Sequence, residues 1–402
     1  MTRERGIGPG RAAARRDVTG ARTKKFRWRG VAVLAVPAAL VAAAGAAHGQ
    51  SWPGTSWETA TPAEVGMDPA VLAQAHDYAA SAGGSGMIVR YGLLVDSWGN
   101  LHTQYDIKST TKSIGAVLLG MAVGDGLVGL DVTARTYFST LGNPPSSNED
   151  TGWLPLITVR HLAAHSAGFG DPGGFEPLLF EPATAWYYSN CGANWLGDAL
   201  TLQFGDDLWN VLRLRVLDVV GVPASDFFWR DNWYRPTPLL GIPRRELASG
   251  VNASVDALAR IAYLCLREGQ WDGTTVFPAS FVHTMGQPEP SLASLPNLDE
   301  ARFPGATQHY GLLWWTNGDG TLADVPTDAF WGWGLGDSIM LVIPSLDIVA
   351  ARAGDAWQPG EFGSDYSYLA PFFGPIAESV VAPSGADDPE SVSWGRLRAR
   401  FR

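Results

Sequence analysis

Two apolar hairpin signals stand near opposite ends of this chain, and a fold that satisfies both must bring those ends together. Met87-Ile-Val-Arg-Tyr91 and Leu93-Leu-Val-Asp-Ser-Trp98 flank Gly92. Some 240 residues later Ser338-Ile-Met-Leu-Val-Ile343 and Asp347-Ile-Val-Ala-Ala-Arg352 are split by Pro344-Ser-Leu346. Short apolar runs bounded by Gly or Pro read as paired strands, and an isolated two-stranded hairpin is marginal in water. The expectation is an α/β (α+β) fold: one antiparallel sheet built from both chain ends and flanked by helices. The Trp-, Pro- and Gly-rich stretch 131–244 is inserted as a mainly helical subdomain.

Helical signals fill the interval. Asp68-Pro69 is an N-cap followed by a first-turn proline, and Ser254 caps a strongly amphipathic run through Arg267. Patches at 159–164, 194–204 and 206–220 read as helices of the inserted region. With 402 residues, 46% hydrophobic and 17% charged, there is ample material for a large core. The boundaries are 1–49 as a leader, 50–66 as a linker, 67–380 as the main domain and 381–402 as a flexible tail.

The leader is a separate object. Residues 1–29 hold ten basic and two acidic side chains, Gly30 to Ala47 are almost all apolar, and small residues follow to Gln50. Basic, apolar, small is the order of a secretory signal, so the protein is expected to be secreted or in the cell envelope. An uncleaved membrane anchor is the alternative. The whole chain carries −11; without the +8 of residues 1–29 the rest carries −19. That surface argues against nucleic acid and against anionic membrane as partners. Cys191 and Cys265, the only cysteines, make no metal site or disulfide framework and read as two buried thiols, although one pairing is open to them.

Chemistry concentrates in Tyr105-Asp-Ile-Lys-Ser-Thr-Thr-Lys-Ser113. Ser109 and Lys112 stand three apart at a helix start, and apolar residues at Ile114, Val117, Leu118, Met121 and Ala122 continue the helix. Residues at i and i+3 share a face. A desolvated, neutral lysine can take the proton of a serine hydroxyl, and a helix start offers free N–H groups to an oxyanion. The only lysines are Lys24, Lys25, Lys108 and Lys112. A chain that otherwise uses arginine, yet keeps a lysine inside an apolar helix, points to an amine that must lose its proton. A capped surface helix with a solvated lysine is the plain alternative.

Other motifs are weaker. Tyr188-Ser-Asn190 places a tyrosine that a nearby lysine would favour as phenolate, and so as a proton shuttle. His161-Leu-Ala-Ala-His165 has metal-ligand spacing, but Leu162 stands where the general-base glutamate belongs. No metal and no cofactor are expected. Gly168-Phe-Gly-Asp-Pro-Gly173 lacks strand–turn–helix context and reads as a loop. Phe330-Trp-Gly-Trp-Gly-Leu-Gly-Asp-Ser338 is glycine-dense ahead of a strand and offers close backbone approach to a substrate.

Together these pieces resemble the serine β-lactamase/penicillin-binding-protein superfamily, specifically its class C β-lactamase-related esterases and amide hydrolases, over nearly all of residues 57–356. The resemblance implies Ser109 as nucleophile, Lys112 as its base partner, Tyr188 as second base and Asn190 as a partner of substrate or lysine. It implies backbone N–H groups of Ser109 and Leu335 as the oxyanion hole. Ile157 to Gly168 is similar to the family's structural segment before the helical region, and Arg245 to Gly250 and Tyr310 to Trp315 to further landmarks. The third motif departs from the family. Where β-lactamases and D-alanyl-D-alanine peptidases carry Lys-Thr-Gly, this chain has Gly332-Trp333-Gly334, which supplies no carboxylate clamp. The expectation is hydrolysis of a small-molecule ester or linear amide through an acyl-Ser109 intermediate, with Trp333, Gly334 and Trp331 at the pocket. The rivals are a β-lactamase or DD-peptidase, with Arg352 standing in for the lost lysine, and a non-catalytic binding or sensor protein on the same fold.

Overall fold

The computed structural model describes residues 51–359 and 366–381; the expected leader, and the tail from 382 on, lie outside the described residues. Helix α1 (Pro69–Ala80) is followed by β1 (Ser85–Arg90) and β2 (Leu93–Trp98), then by β3 (Tyr105–Asp106) and the long helix α2 (Thr110–Gly124). The inserted region carries α3 (Ser147–Asp150), α4 (Val159–Ala163), α5 (Asn190–Phe204), α6 (Leu208–Leu212), α7 (Asp218–Val220) and β4 (Phe227–Trp229). Next come β5 (Val251–Ala253), α8 (Val255–Leu266), a small hairpin of β6 (Gln270–Trp271) and β7 (Thr274–Thr275), and α9 (Ala279–Met285). The chain then runs through α10 (Ala306–His309), β8 (Trp315–Thr316), β9 (Phe330–Gly334), β10 (Ser338–Ile343), β11 (Ile348–Ala353) and α11 (Ala370–Glu378).

The two hairpins do join. Six strands run in the order β2-β1-β11-β10-β9-β8, and β1 pairs antiparallel with β11 from Ser85↔Ala353 to Arg90↔Ile348. Strands β1, β10 and β11 are buried along their whole length because helices cover both faces. Helix α8 lies on β1, β10 and β11, and α2 on β9. On the other face Phe372 and Phe373 of α11 meet Trp98 and Trp331, and α1 packs against α11. Successive residues of a strand face opposite sides, and β9 shows it: Gly332 lies against Ser113 of α2, while Trp331 lies against α11.

Helix α2 is buried from Thr110 through Ala122, so its apolar residues run all round it rather than in one stripe. It is an internal strut, not a surface helix. Both cysteines are free and buried.

Two expectations need correcting. Residues 51–66 are no linker: Trp57 is buried and its indole donates to Asp256 at 2.7 Å, Thr59 bridges Leu94, and Thr61 and Glu64 close a capping box. Residue 381 is likewise tied down, its N–H donating to the Gly66 carbonyl at 3.0 Å. The region 131–244 is also more than helical. Its helical content lies in α5 and in the unbroken run 208–220, where a π-helical turn, Arg213–Leu217, joins α6 to α7, while β4 enters a second, three-stranded sheet of order β3-β5-β4. That sheet was not foreseen, since its strands are too short to show a period of two.

Candidate active site

The small sheet aims the Ser109 turn. Tyr105 and Asp106 pair with Ala253 and Asn252 of β5, and the Ile107 N–H bonds Val251 O at 3.1 Å. Lys108 then takes φ +50°, a left-handed conformation that a non-glycine residue adopts only when neighbours hold it. Asp106 does so, accepting from the Lys108 N–H at 3.2 Å and from its Nζ at 2.6 Å. The bend delivers Ser109 to the N-cap position of α2, yet its side chain makes no capping bond. The capped-helix alternative fails here, for the hydroxyl points elsewhere.

It points to Lys112. The Lys112 amine is buried, with Ser109 Oγ at 3.1 Å, Asn190 Oδ1 at 2.6 Å and the Ala248 carbonyl at 2.8 Å. Burial lowers its pKa to about 7, reinforced by the Arg302 charge and opposed by Asp171 and Glu246. A neutral amine has two N–H donors and one lone pair. Asn190 Oδ1 and the Ala248 carbonyl take both donors, which leaves the lone pair for the Ser109 hydroxyl.

Tyr188 closes the third side. Its ring lies 4.7 Å from Lys112 Nζ, and the Ser109 hydroxyl is near enough to pull its pKa down, against the larger upward push of burial. The segment around it is clamped by His165: Tyr187 N–H donates to His165 O at 3.0 Å and Ser189 N–H to His165 Nδ1 at 3.2 Å. Ser189 caps α5 through Gly192 N–H, and Asn190 N–H donates to Asp171 Oδ1 at 2.9 Å. Rings of His165, Phe303, Tyr310 and Trp315 surround Tyr188. One expectation is reversed here. Desolvation in this aromatic nest outweighs every nearby cation and pushes the Tyr188 pKa far up, so Tyr188 is held as a phenol rather than favoured as phenolate.

The glycine-dense stretch supplies backbone rather than walls. A Cβ on Gly334 would sit 2.1 Å from Ile107 O and 3.0 Å from Thr110 N, so β9 passes hard against the Ser109 turn, and Leu335 emerges beside it half exposed. Trp331 and Trp333 do not line this space. Both are buried on the opposite face of β9, Trp331 against Phe373 and Trp333 against Trp315, Tyr366 and Tyr368, with its indole N–H on Asp337 at 3.0 Å. The alternation of a strand excludes them once Gly332 and Gly334 face α2. Arg352 is also elsewhere, buried and donating to the carbonyls of Gly336, Asp337 and Asp355. It braces the turn after β9.

The two histidines do not sit on one helix face. Helix α4 ends at Ala163, and His165 lies beyond it at φ +58°; His161 Nδ1 accepts from Thr158 N–H. Among the described residues His102, Asp226 and Asp256 do come together. Their carboxylates, however, already accept from Ser225, Ser254, Trp57 and Arg260. Residues that sequence reasoning missed are Asp171, His165 as a clamp, the Ala248 carbonyl and Arg302, whose guanidinium lies 5.5 Å from the Tyr188 ring. Nothing in their spacing announces them, since each arrives from a loop.

A family model described as Beta-lactamase matches residues 69–370. Solved structures with a similar fold include a beta-lactamase from Mycobacterium bovis (19% identity, 74% of this chain and 95% of that one, TM-score 0.54). They also include a penicillin-binding protein homolog from Caulobacter crescentus (15%, 78% and 98%, TM-score 0.57) and a family VIII carboxylesterase (16%, 77% and 98%, TM-score 0.58). No curated protein matches the chain.

Proposed function

The chain belongs to the beta-lactamase family, and from that premise we propose that it is a serine hydrolase cleaving an ester or linear amide through a covalent acyl-Ser109 intermediate. One observation carries this reading: Lys112 Nζ lies within hydrogen-bond reach of Ser109 Oγ, Asn190 Oδ1 and the Ala248 carbonyl, so a neutral amine that donates to the last two turns its lone pair to Ser109. As Ser109 Oγ bonds to the substrate carbonyl carbon, its proton passes to Lys112 Nζ. The N–H groups of Ser109 and Leu335 hold the oxyanion. As the carbonyl re-forms, the bond to the leaving group breaks, and that group takes a proton from the Tyr188 hydroxyl, which Lys112 restores. Water then attacks the acyl-enzyme, gives its proton to the same pair, and releases the acid and free Ser109.

The missing cation in the third motif, and the engagement of Arg352 with carbonyls, favour esters and linear amides over β-lactams. The likeness to a carboxylesterase fold is in keeping with that. Faster turnover of nitrocefin than of a p-nitrophenyl ester would reverse the preference. The basic–apolar–small leader supports export; N-terminal sequencing of protein recovered outside the cell tests it, and a start at Met1 there would count against cleavage. Among the described residues no helix is long and apolar enough to cross a membrane.

The test of the nucleophile is a fluorophosphonate probe followed by peptide mapping. The label is expected on Ser109 alone in folded protein; label on another residue with Ser109 untouched rejects the reading. A second expectation concerns His165, which acts on Tyr188 from behind. At φ +58° an asparagine is tolerated, and its Oδ1 can accept the Ser189 N–H as Nδ1 does. His165→Asn should therefore keep kcat within about fivefold, whereas His165→Phe, which accepts nothing, should lose about 30-fold, matching the roughly 2 kcal/mol of an unmade buried bond. Equal losses in the two variants would show that the ring, not the acceptor, matters.

A further inference from the structure

Among the described residues, the site has one accessible cation whose donors are unspent. Arg302 stands after Asp299 in the loop that ends at α10, with its guanidinium carbon 5.5 Å from the Tyr188 ring and 4.8 Å from that of Phe303. Its nearest acidic oxygens, on Asp171 and Asp299, are both at 3.9 Å, beyond hydrogen-bonding reach. Among the described residues no acceptor is assigned to its side chain. An arginine in a structural role normally saturates its planar fork; this one is aligned by two carboxylates without being satisfied by them.

Accessibility decides which sign of ligand these groups can read. The Arg302 side chain is 40% exposed, against 20% for Asp171 and 15% for Asp299, and Asp171 Oδ1 already accepts the Asn190 N–H. The acids are less exposed than the arginine. A ligand from solvent therefore meets the guanidinium N–H groups more readily than the carboxylates, which favours a carboxylate over an ammonium. Among the described residues the third motif offers no competing cation, because Gly332 occupies its first position and Arg352 is spent on carbonyls.

Resting on the reading of Ser109 as the acylated residue, we propose that Arg302 is a specificity-determining residue that binds a carboxylate of the substrate by a bidentate contact, so that the natural substrate is an ester or amide bearing a free acid group. The carboxylate sits on the part of the substrate lying over Tyr188. Arg302 thus reads from a loop on the helical side what the family's lysine reads from the sheet.

Two matched pairs of substrates test this at pH 9, where Lys112 is neutral. For the acyl side they are p-nitrophenyl hexanoate and mono-p-nitrophenyl adipate; for the leaving-group side, 4-acetoxybenzamide and 4-acetoxybenzoate. In at least one pair wild type should favour the anionic member by about tenfold or more in kcat/KM. Arg302→Gln should lower the anionic member by about 10- to 100-fold, the range of one charge-assisted bidentate contact, while the neutral member changes less than about threefold. Arg302→Lys should fall between. A wild-type preference for the neutral member in both pairs overturns the proposal, as does an equal loss on both members in Arg302→Gln. Faster turnover of a cationic ester such as 4-acetoxybenzylammonium also overturns it and would assign specificity to Asp171 and Asp299. If wild type turns over neither pair, the hydrolase reading itself fails and this proposal fails with it.

Discussion

Replacing Ser109 with alanine is expected to lower kcat on an activated ester by about 10⁴-fold while leaving the folded protein essentially as stable as wild type. The size follows from what the serine does. Removing the nucleophile of a serine–base unit removes the covalent route altogether, and what remains is the contribution of oxyanion donors and binding. The stability half follows from geometry. Ser109 Oγ caps nothing, the side chain is only partly buried, and Lys112 keeps its bonds to Asn190 and Ala248 when the hydroxyl is gone. The expected cost is therefore below about 1 kcal/mol, the net worth of one partly solvated hydrogen bond. Steady-state kinetics beside a thermal melt check both halves. Retention of a tenth or more of wild-type kcat would remove Ser109 from the mechanism; substrate binding without turnover even in wild type would favour a binding protein on this fold.

How much of this was legible beforehand depends on the range of the interaction. The Ser109–Lys112 contact is one helical turn long, so its spacing pointed to it, and the scarcity of lysine and the accompanying motifs weighed it against a capped surface helix. The union of β1 with β11 spans the whole chain, yet both hairpins announce themselves by apolar runs and punctuating Gly and Pro. What could not be read is whatever depends on which face of an element looks inward. Trp331 and Trp333 flank glycines that do approach α2, and a sequence does not say which member of an alternating strand meets the helix. The ionisation of Tyr188 failed for a related reason. A lysine beside a tyrosine favours phenolate only while the lysine is charged and the ring is wet, and here Phe303, Tyr310 and Trp315, from segments far along the chain, bury the ring. Arg302 was invisible because a rim arginine in a polar loop has no periodicity to mark it.

Lys112 should reveal itself through pH, and in opposite senses for activity and stability. With its pKa at about 7, the unprotonated fraction falls tenfold for each pH unit below that, so kcat/KM should rise with unit slope up to about pH 7 and then level off. No alkaline limb is expected from Tyr188 in the accessible range, since burial holds it as a phenol. Lys112→Arg keeps a cation that cannot deprotonate and should lose about 10³-fold or more at every pH. For stability, the free lysine value is near 10.4, so between about pH 7 and 10.4 the unfolded chain binds one proton more than the folded chain. Stability must therefore rise with pH across that window, and the penalty of burying Lys112 is complete at its lower end. At about 1.4 kcal/mol per unit of pKa, the penalty at pH 7 is on the order of 4 kcal/mol. Lys112→Met escapes it but orphans Asn190 Oδ1 and the Ala248 carbonyl at every pH. The stability difference, Lys112→Met minus wild type, should thus shrink by roughly 4 kcal/mol between pH 7 and 10.4, whatever its absolute value. Urea melts at four pH values measure that difference. A difference that stays constant with pH, or an activity limb near pH 4 to 5, would move the base from Lys112 to a carboxylate, of which Asp171 is the nearest candidate by its bond to Asn190. Packing alone would favour methionine in this buried first turn of α2, so a penalty of that size, once measured, is what the proposed role of Lys112 as a neutral base requires.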